Sequence, residues 1–372
     1  MKPTDQAENL NKIIALAASK LPLLKCKEYY ALLSELGSPA AILGYRGALC
    51  APLLVALESE EFRVRCEEEV LELQRRGIQI LALGGDGYPA LLSLIYQPPP
   101  VIYYRGSSEV FQSDKARIAM VGSRKADVFG CDLARSYAAY LASRGGVIVS
   151  GLALGVDAYS HRGALDSKRE GSTIAVLGSG LDNLYPRQNE RLAAQIIERG
   201  GAVVSQFAAH EKPFPSNFLD RNRVIAGLCK YTVVIQAPRR SGSLATARYA
   251  LEEGREVLVV PGAVNDPRYE GSNLLIQQGA NVVLNEKDLE ECMPEGSSLQ
   301  ANEGKSAASE PLSEERRAII ELLRENVKLH YDQLSQSITS GGLAAEILSL
   351  ELEGKVKRLP GNFLILSANG GH

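Results

Sequence analysis

A doubly wound α/β domain, a mainly parallel sheet with helices on both faces, is what the middle of this 372-residue chain predicts. Two observations carry the prediction. From Arg117 onward, short continuous apolar runs alternate with amphipathic stretches of helical length. Runs that are apolar at every position suit strands buried on both faces, as in a parallel sheet flanked by helices. The carboxyl ends of most runs are followed by Gly/Ser turns that open the next helix, the usual joint of a βα unit.

The flanks differ in texture, and a chain of this length has room for two or three domains. Residues 1–75 read as a helical domain: Leu10, Ile13, Ile14 and Leu16 make a helical stripe, followed by YYALLSEL and EEEVLELQRR. LPLLKCKEYYALL has the outline of a helix-hairpin-helix, but Leu23 and Lys25 stand where glycines would let backbone approach a phosphate, so helix packing is the expected role. The α/β domain is expected over 76–288. It opens with IQILAL as a strand, a turn, a short helix, the prolines Pro98 to Pro100 as a rigid connector into the next domain, and a further strand. The strands that follow are 118–121, 147–150, 173–178, 202–207, 232–237, 256–262 and 281–284, with helices at 127–143, 155–166, 188–199, 218–229, 243–254 and 271–278. Residues 289–311, rich in Glu, Ser, Ala and Gly, read as a flexible linker. Residues 312–372 carry three short helices and a two-stranded hairpin, KVKRLPGNFLIL, which is a winged-helix pattern. Its third helix holds Glu346 and Glu351 and no cation before Lys355, which favours protein contact or packing over DNA readout.

Composition narrows the function classes. The net charge is −3, so a nucleic-acid partner would need a local patch. No apolar run approaches the ~20 residues that span a bilayer. MKPTDQAEN lacks the charged start of a secretory signal. The six cysteines are scattered without a CxxC pair, which fits reduced cytoplasmic thiols and neither a metal knuckle nor a disulfide framework.

In open α/β sheets the working site lies beyond the carboxyl ends of the strands. After the first strand stand Gly122, Ser123 and Arg124, a tight turn with a hydroxyl and a phosphate-binding fork. Ser150 and Gly151 follow the second and lead through Gly155 into a helix start that favours an anion. Asp157 and His161 share a face of that helix and are expected as a hydrogen-bonded pair. After the third strand, GSGLDNLYPRQN imitates a dinucleotide fingerprint, but Asn183 replaces its last glycine and no acidic residue follows the next strand, so no cofactor is expected. Arg187 in that loop is available for phosphate. After the fourth come Lys212, Phe218, Arg221, Asn222 and Arg223, with polar neighbours that suit a partly exposed ring. From Arg221 to Arg255 seven basic residues face two acidic ones. Ser241, Gly242 and Ser243 open the next helix, and Gly271-Ser272-Asn273 repeats the pattern. Several such turns on one edge, with cations nearby and a ring among them, fit a polymer of phosphates, and a single strand in particular.

The strings VGSR (121–124), SGLALGVDAYSHRGAL (150–165), TIAVLGSGLDNLYPRQNERL (173–192), FLDRNRVIAGL (218–228), SGSLATARYALEEGREVLVVPG (241–262) and GSNLLIQQGANVV (271–283) resemble, in that order, the DNA processing protein A (DprA/Smf) family over roughly 80–285. The resemblance implies an extended Rossmann fold with an N-terminal sterile-alpha-motif-like helical domain and a C-terminal winged helix of the DML1 type. It implies a non-catalytic single-stranded DNA-binding protein that protects incoming DNA and loads the RecA recombinase in natural transformation, as a homodimer joined through the Rossmann domain. Phosphate contacts fall on Gly122, Ser123, Arg124 and Arg187, the base-stacking ring on Phe218, and a further cation on Lys212, where spacing varies. The alternative is a nucleotide-processing enzyme like the lysine-decarboxylase-like phosphoribohydrolases, whose P-G-G-x-G-T-x-x-E loop carries a catalytic Glu. Here PRRSGSLATARY places Tyr249 three residues after Thr246, where that Glu would stand. No G-x-S-x-G elbow or phosphate-loop lysine occurs, and no carboxylate cluster for a nickase's Mg²⁺. A nucleotide-sensing scaffold is the third reading.

Overall fold

The computed structural model describes residues 3–291 and 314–366, apart from 21–22, 46, 48–50, 113–115, 327, 339–341, 354 and 360. Four helices come first: α1 (Pro3–Ser19), α2 (Leu23–Leu36), α3 (Ala51–Glu58) and α4 (Glu60–Arg75). Ser59 caps α4 by accepting from the Phe62 amide, and Glu60 and Glu61 favour its positive end. Leu23 and Lys25 lie inside α2, so no hairpin turn forms at them; 21–22 lie outside the described residues.

The α/β unit then runs β1 (Gln79–Ala82), α5 (Ala90–Ser93), β2 (Val101–Gly106), β3 (Arg117–Val121), α6 (Val128–Ser143), β4 (Val147–Ser150), α7 (Val156–Asp166), β5 (Thr173–Val176), α8 (Glu190–Glu198), β6 (Ala202–Ser205), α9 (Pro215–Leu228), β7 (Tyr231–Val234), α10 (Gly242–Glu252), β8 (Glu256–Val259), α11 (Glu270–Gln277), β9 (Asn281–Val282) and α12 (Glu286–Glu291). These strands form one nine-stranded sheet in the order β1-β2-β6-β5-β4-β3-β7-β8-β9. From β6 to β9 all pairs are parallel; β1 and β2 add an antiparallel margin, with Tyr103 opposite Ser205.

The continuous apolar runs follow from burial on both faces. In β3 and β4, Ile118, Met120 and Ile148 pack under α6 and α7, while Ala119, Val121, Val147 and Val149 pack under α9 and α10. The N-terminal helices share a core with the sheet: Ile13, Ile14 and Leu16 of α1 join Ile80 of β1, Tyr103 of β2 and Leu192 and Ile196 of α8.

The order of strands sets the position of the site. From β3 the chain moves outward through β4, β5 and β6, then returns along α9 to β7 on the other flank of β3. The carboxyl ends of β3 and β7 therefore diverge into a crevice, the topological switch point where open α/β sheets hold ligands.

Several expectations change. Pro98–Pro100 do not lead into another domain: they join β1 to β2, partners in one sheet. The strands expected at 173–178, 202–207 and 256–262 end two or three residues early because their last residues turn into the loops of the carboxyl edge. Helix α9 starts at Pro215 rather than at 218, since proline suits the first helical position and has no amide to leave unpaired. Residues 289–291, expected as linker, belong to α12, whose Leu289 is fully buried against the α6 face; 292–311 lie outside the described residues. The C-terminal unit comprises α13 (Glu314–Glu325), β10 (Leu329–His330), α14 (Tyr331–Ser337), α15 (Leu343–Leu352), β11 (Val356–Leu359) and β12 (Phe363–Leu366). Its hairpin gains β10 as a third strand, in the order β10-β12-β11.

Candidate nucleic-acid interface

The interface is built around the first turns of α9. Phe218 projects half-buried from that helix beside Gly178, just beyond β5. A Cβ on Gly178 would lie 2.6 Å from the ring, so a residue without a side chain is what seats it. The Arg124 guanidinium lies over the ring at 5.0 Å from its centroid, and the ring of Tyr185 meets it at 5.7 Å with a 55° tilt. A cation held over an aromatic face by its quadrupole keeps its own hydrogen-bonding edge for another partner.

Around this ring lies a groove of about 630 Å³ at the switch point. The turn after β3 supplies Gly122 to Lys125, the loop after β7 supplies Pro238 and Arg240 to Ser243, and α9 supplies Pro215, Phe218 and Leu219. Arg124, Lys125 and Arg240 are exposed. Arg268 also lines the groove, but it is paired with Asp127 and Asp266. The groove thus offers cations for an anionic backbone and an apolar, partly aromatic wall for flat rings, the two requirements of single-stranded nucleic acid.

Beneath it is a buried polar floor. Arg221, 4% exposed, donates from Nη1 to the carbonyls of Gly151 (2.5 Å) and Val176, and from Nε to Asn222 Oδ1 (3.1 Å). Burial lowers its pKa to about 10, so it remains charged at neutral pH. The Asp157 carboxylate accepts from the amides of Gly151 (3.1 Å) and Ala153 (3.4 Å), and burial raises its pKa while Arg221 opposes the shift. The loops after β4 and β5 are in this way tied to α9 through one guanidinium.

Asp157 and His161 do not bond each other as expected. His161 faces the sheet, where Nδ1 donates to Thr173 Oγ1 at 2.7 Å, because that hydroxyl donates its own hydrogen to the Ile148 carbonyl. Nε2 is buried without a hydrogen-bond partner among the described residues. Burial lowers the His161 pKa to about 3, whereas the unfolded chain titrates near the usual 6.5. Between these values the unfolded state binds the extra proton, so stability is complete above about pH 6.5 and falls as pH drops toward 3. In denaturant titrations, His161→Asn is expected to lose less stability between pH 6.5 and 4 than the parent; equal losses would exclude His161 as the source.

The sequence profile described as DNA recombination-mediator protein A matches residues 79–294. The chain belongs to the DNA processing protein A family. A second profile, the DprA winged helix domain, matches 303–362. Protein Smf of Escherichia coli is 34% identical over 309 residues, 82% of each chain. DNA processing protein DprA of Streptococcus pneumoniae is 41% identical over 204 residues, 55% of this chain and 70% of its relative. Among solved structures, the DprA of Streptococcus pneumoniae superposes with a TM-score of 0.60 at 33% identity, over 74% of this chain and 95% of the other. DNA processing protein A from Helicobacter pylori, which has a described single-stranded DNA binding mode, superposes with a TM-score of 0.52 at 28% identity, over 58% of this chain and 94% of the other.

Within this chain the residues singled out by sequence separate into layers. Gly122, Ser123, Arg124, Phe218, Ser241 and Gly242 line the groove. Arg221 and Asn222 border it from below; the Asn222 amide donates to the Gly242 carbonyl at 3.2 Å. Ser150 is displaced from the surface altogether: it is fully buried, and its hydroxyl donates to the Met120 carbonyl at 2.6 Å across the sheet. Gly151 is likewise buried, its amide and carbonyl taken by Asp157 and Arg221. Arg223 points toward α10, with its guanidinium 5.1 Å from the Tyr249 ring centroid. Arg187 and Lys212 are exposed but lie outside the groove lining. Gly271-Ser272-Asn273 is not an anion turn: the Gly271 and Ser272 amides donate to the Ala237 carbonyl, and Ser272 Oγ accepts from the Ala237 amide, a joint between α11 and the loop after β7.

Lys125 lines the groove and Tyr185 a small cavity beside it, and sequence reasoning passed over both. Lys125 directly follows the VGSR string and could have been read with it. Tyr185 is legible only as part of a loop, because its approach to Phe218 depends on the loop after β5 converging on helix α9.

Proposed function

We propose that the chain is a non-catalytic single-stranded DNA-binding protein of the cytoplasm. It protects incoming DNA and delivers it to the RecA recombinase during natural transformation, working as a homodimer joined through the α/β domain. The observation that carries this reading is the Arg124 guanidinium over the half-buried Phe218 ring, beside the exposed Lys125 and Arg240. Phosphate and base have adjacent places there, and a base stacked within a duplex has no face to offer the ring. The single-stranded DNA binding mode described for the Helicobacter pylori relative supports the same direction.

Fluorescence anisotropy with single- and double-stranded oligonucleotides across a salt series tests the proposal. Single strands are expected to bind more tightly, with a log–log salt slope of about −0.7 for each phosphate engaged. Equal affinity for both forms, or no binding, would overturn it. The same preparation incubated with nucleotides should release neither base nor phosphate. Release would restore the phosphoribohydrolase alternative, although half-buried Tyr249 stands at the position of that family's catalytic Glu.

A further inference from the structure

The loop between β5 and α8, which carries Tyr185, is held from outside the groove by Asp182. Its carboxylate accepts from Arg76, the C-cap residue just after α4 in the N-terminal helical unit, and from Arg105 of β2 at 3.5 Å. Arg105 also donates to the neighbouring Leu181 carbonyl at 3.4 Å. Three further bonds stitch the loop to the segment leading into α9: the Asp182 amide to the Ala209 carbonyl (2.9 Å), Asn183 Nδ2 to the His210 carbonyl (2.8 Å), and the Gly180 amide to the Glu211 carbonyl (2.9 Å). The loop therefore lies between the N-terminal helices on one side and the Phe218 ring on the other. Tyr185 stands three residues beyond Asp182, with its ring against Phe218.

We propose that Asp182 is a positioning residue for single-stranded DNA. Through Arg76 and Arg105 it fixes the loop that places Tyr185 against Phe218, so the N-terminal helical unit acts on the groove without touching the strand. The inference rests on the single-stranded DNA reading above and adds a residue and a route to it.

Charge alone makes a contrary prediction, which gives the test its edge. Removing an anion near a DNA-binding surface tightens binding, and removing a cation weakens it. Positioning requires that both Asp182→Asn and Arg76→Met weaken binding, because both release the same loop. Anisotropy of a labelled oligothymidylate with the full chain is expected to show a loss of about fivefold for each variant, the size of a partly exposed ion-pair network. Asp182→Glu, which keeps the charge, is expected to stay near the parent affinity. In a Tyr185→Ala background, Asp182→Asn and Arg76→Met should cause little further loss, because the residue they position has gone.

Tighter binding by Asp182→Asn, or equal losses in both backgrounds, would overturn the proposal. If Asp182→Asn does not fold, Arg76→Met, a change at the surface, carries the test through its two backgrounds: a charge effect would persist in Tyr185→Ala, whereas a positioning effect would vanish there. Failure of the parent protein to bind the oligonucleotide would instead remove the single-stranded DNA reading, and this inference with it. A parent that binds, together with unaltered variants, would remove this inference alone.

Discussion

Replacing Phe218 with alanine should weaken single-stranded DNA binding by about 1–3 kcal/mol, the usual worth of a base stacked on an aromatic side chain. That corresponds to roughly 5- to 150-fold in affinity. The ring projects from the first turn of α9 and meets no core cluster, so its removal should leave the melting midpoint nearly unchanged. Phe218→Tyr keeps a flat face and should retain most of the affinity. Arg124→Ala is expected to act differently. Loss of one phosphate contact should make the salt slope shallower by about 0.7 as well as weaken binding. The two side chains touch, with the guanidinium 5.0 Å from the ring centroid, so their combined loss should fall short of the sum. Unchanged anisotropy curves for both single variants would remove the assigned site.

Arg221→Met should be the most damaging single substitution for stability. The guanidinium is 4% exposed and satisfies the carbonyls of Gly151 and Val176 together with the Asn222 side chain. Methionine fills much of the volume but leaves two buried carbonyls without that donor and Asp157 without its nearby positive charge. Breaking a buried, hydrogen-bonded charge in this way costs about 3–5 kcal/mol. Lysine would restore the charge without the fork that reaches three acceptors, so Arg221→Lys should recover only part of the loss. Space is tight as well: a Cβ on Gly151 would lie 2.6 Å from the guanidinium carbon, so the strand end and the arginine fit each other closely. Chemical denaturation at neutral pH reads the effect. A variant of parental stability that had lost DNA binding would show that Arg221 meets the strand directly instead of supporting the loops beneath it.

How far the sequence reveals the structure depends on how local each determinant is. Runs such as VIVS and TVV predict strands because both faces of β4 and β7 are buried, and that condition leaves its mark residue by residue. The antiparallel pairing of β2 with β6 leaves no such mark, since it joins Tyr103 to Ser205 across the three intervening strands β3 to β5 and their helices. Pro98–Pro100 therefore resembled a boundary between domains. The same limit applies at the site. In Arg221-Asn222-Arg223 the three side chains look alike as one polar, mainly basic cluster, yet one lies under the loops, one bonds the start of α10, and one covers Tyr249. Their separation follows from helical geometry and from where the carbonyls of β4 and β5 end, neither of which is visible in composition. Arg124 was easier to place, because a turn directly after the first parallel strand opens onto the switch point by topology.

The seat of Phe218 has a bearing on how this groove can diverge. The ring occupies the space that any side chain at position 178 would need. The two positions therefore form one unit of substitution. A relative that gained a side chain at the former would have to shrink or redirect the latter, and one that lost the ring could tolerate alanine or serine in place of the glycine. Covariation between two sites so far apart in the chain would be a record of the ring's position, readable from sequences alone.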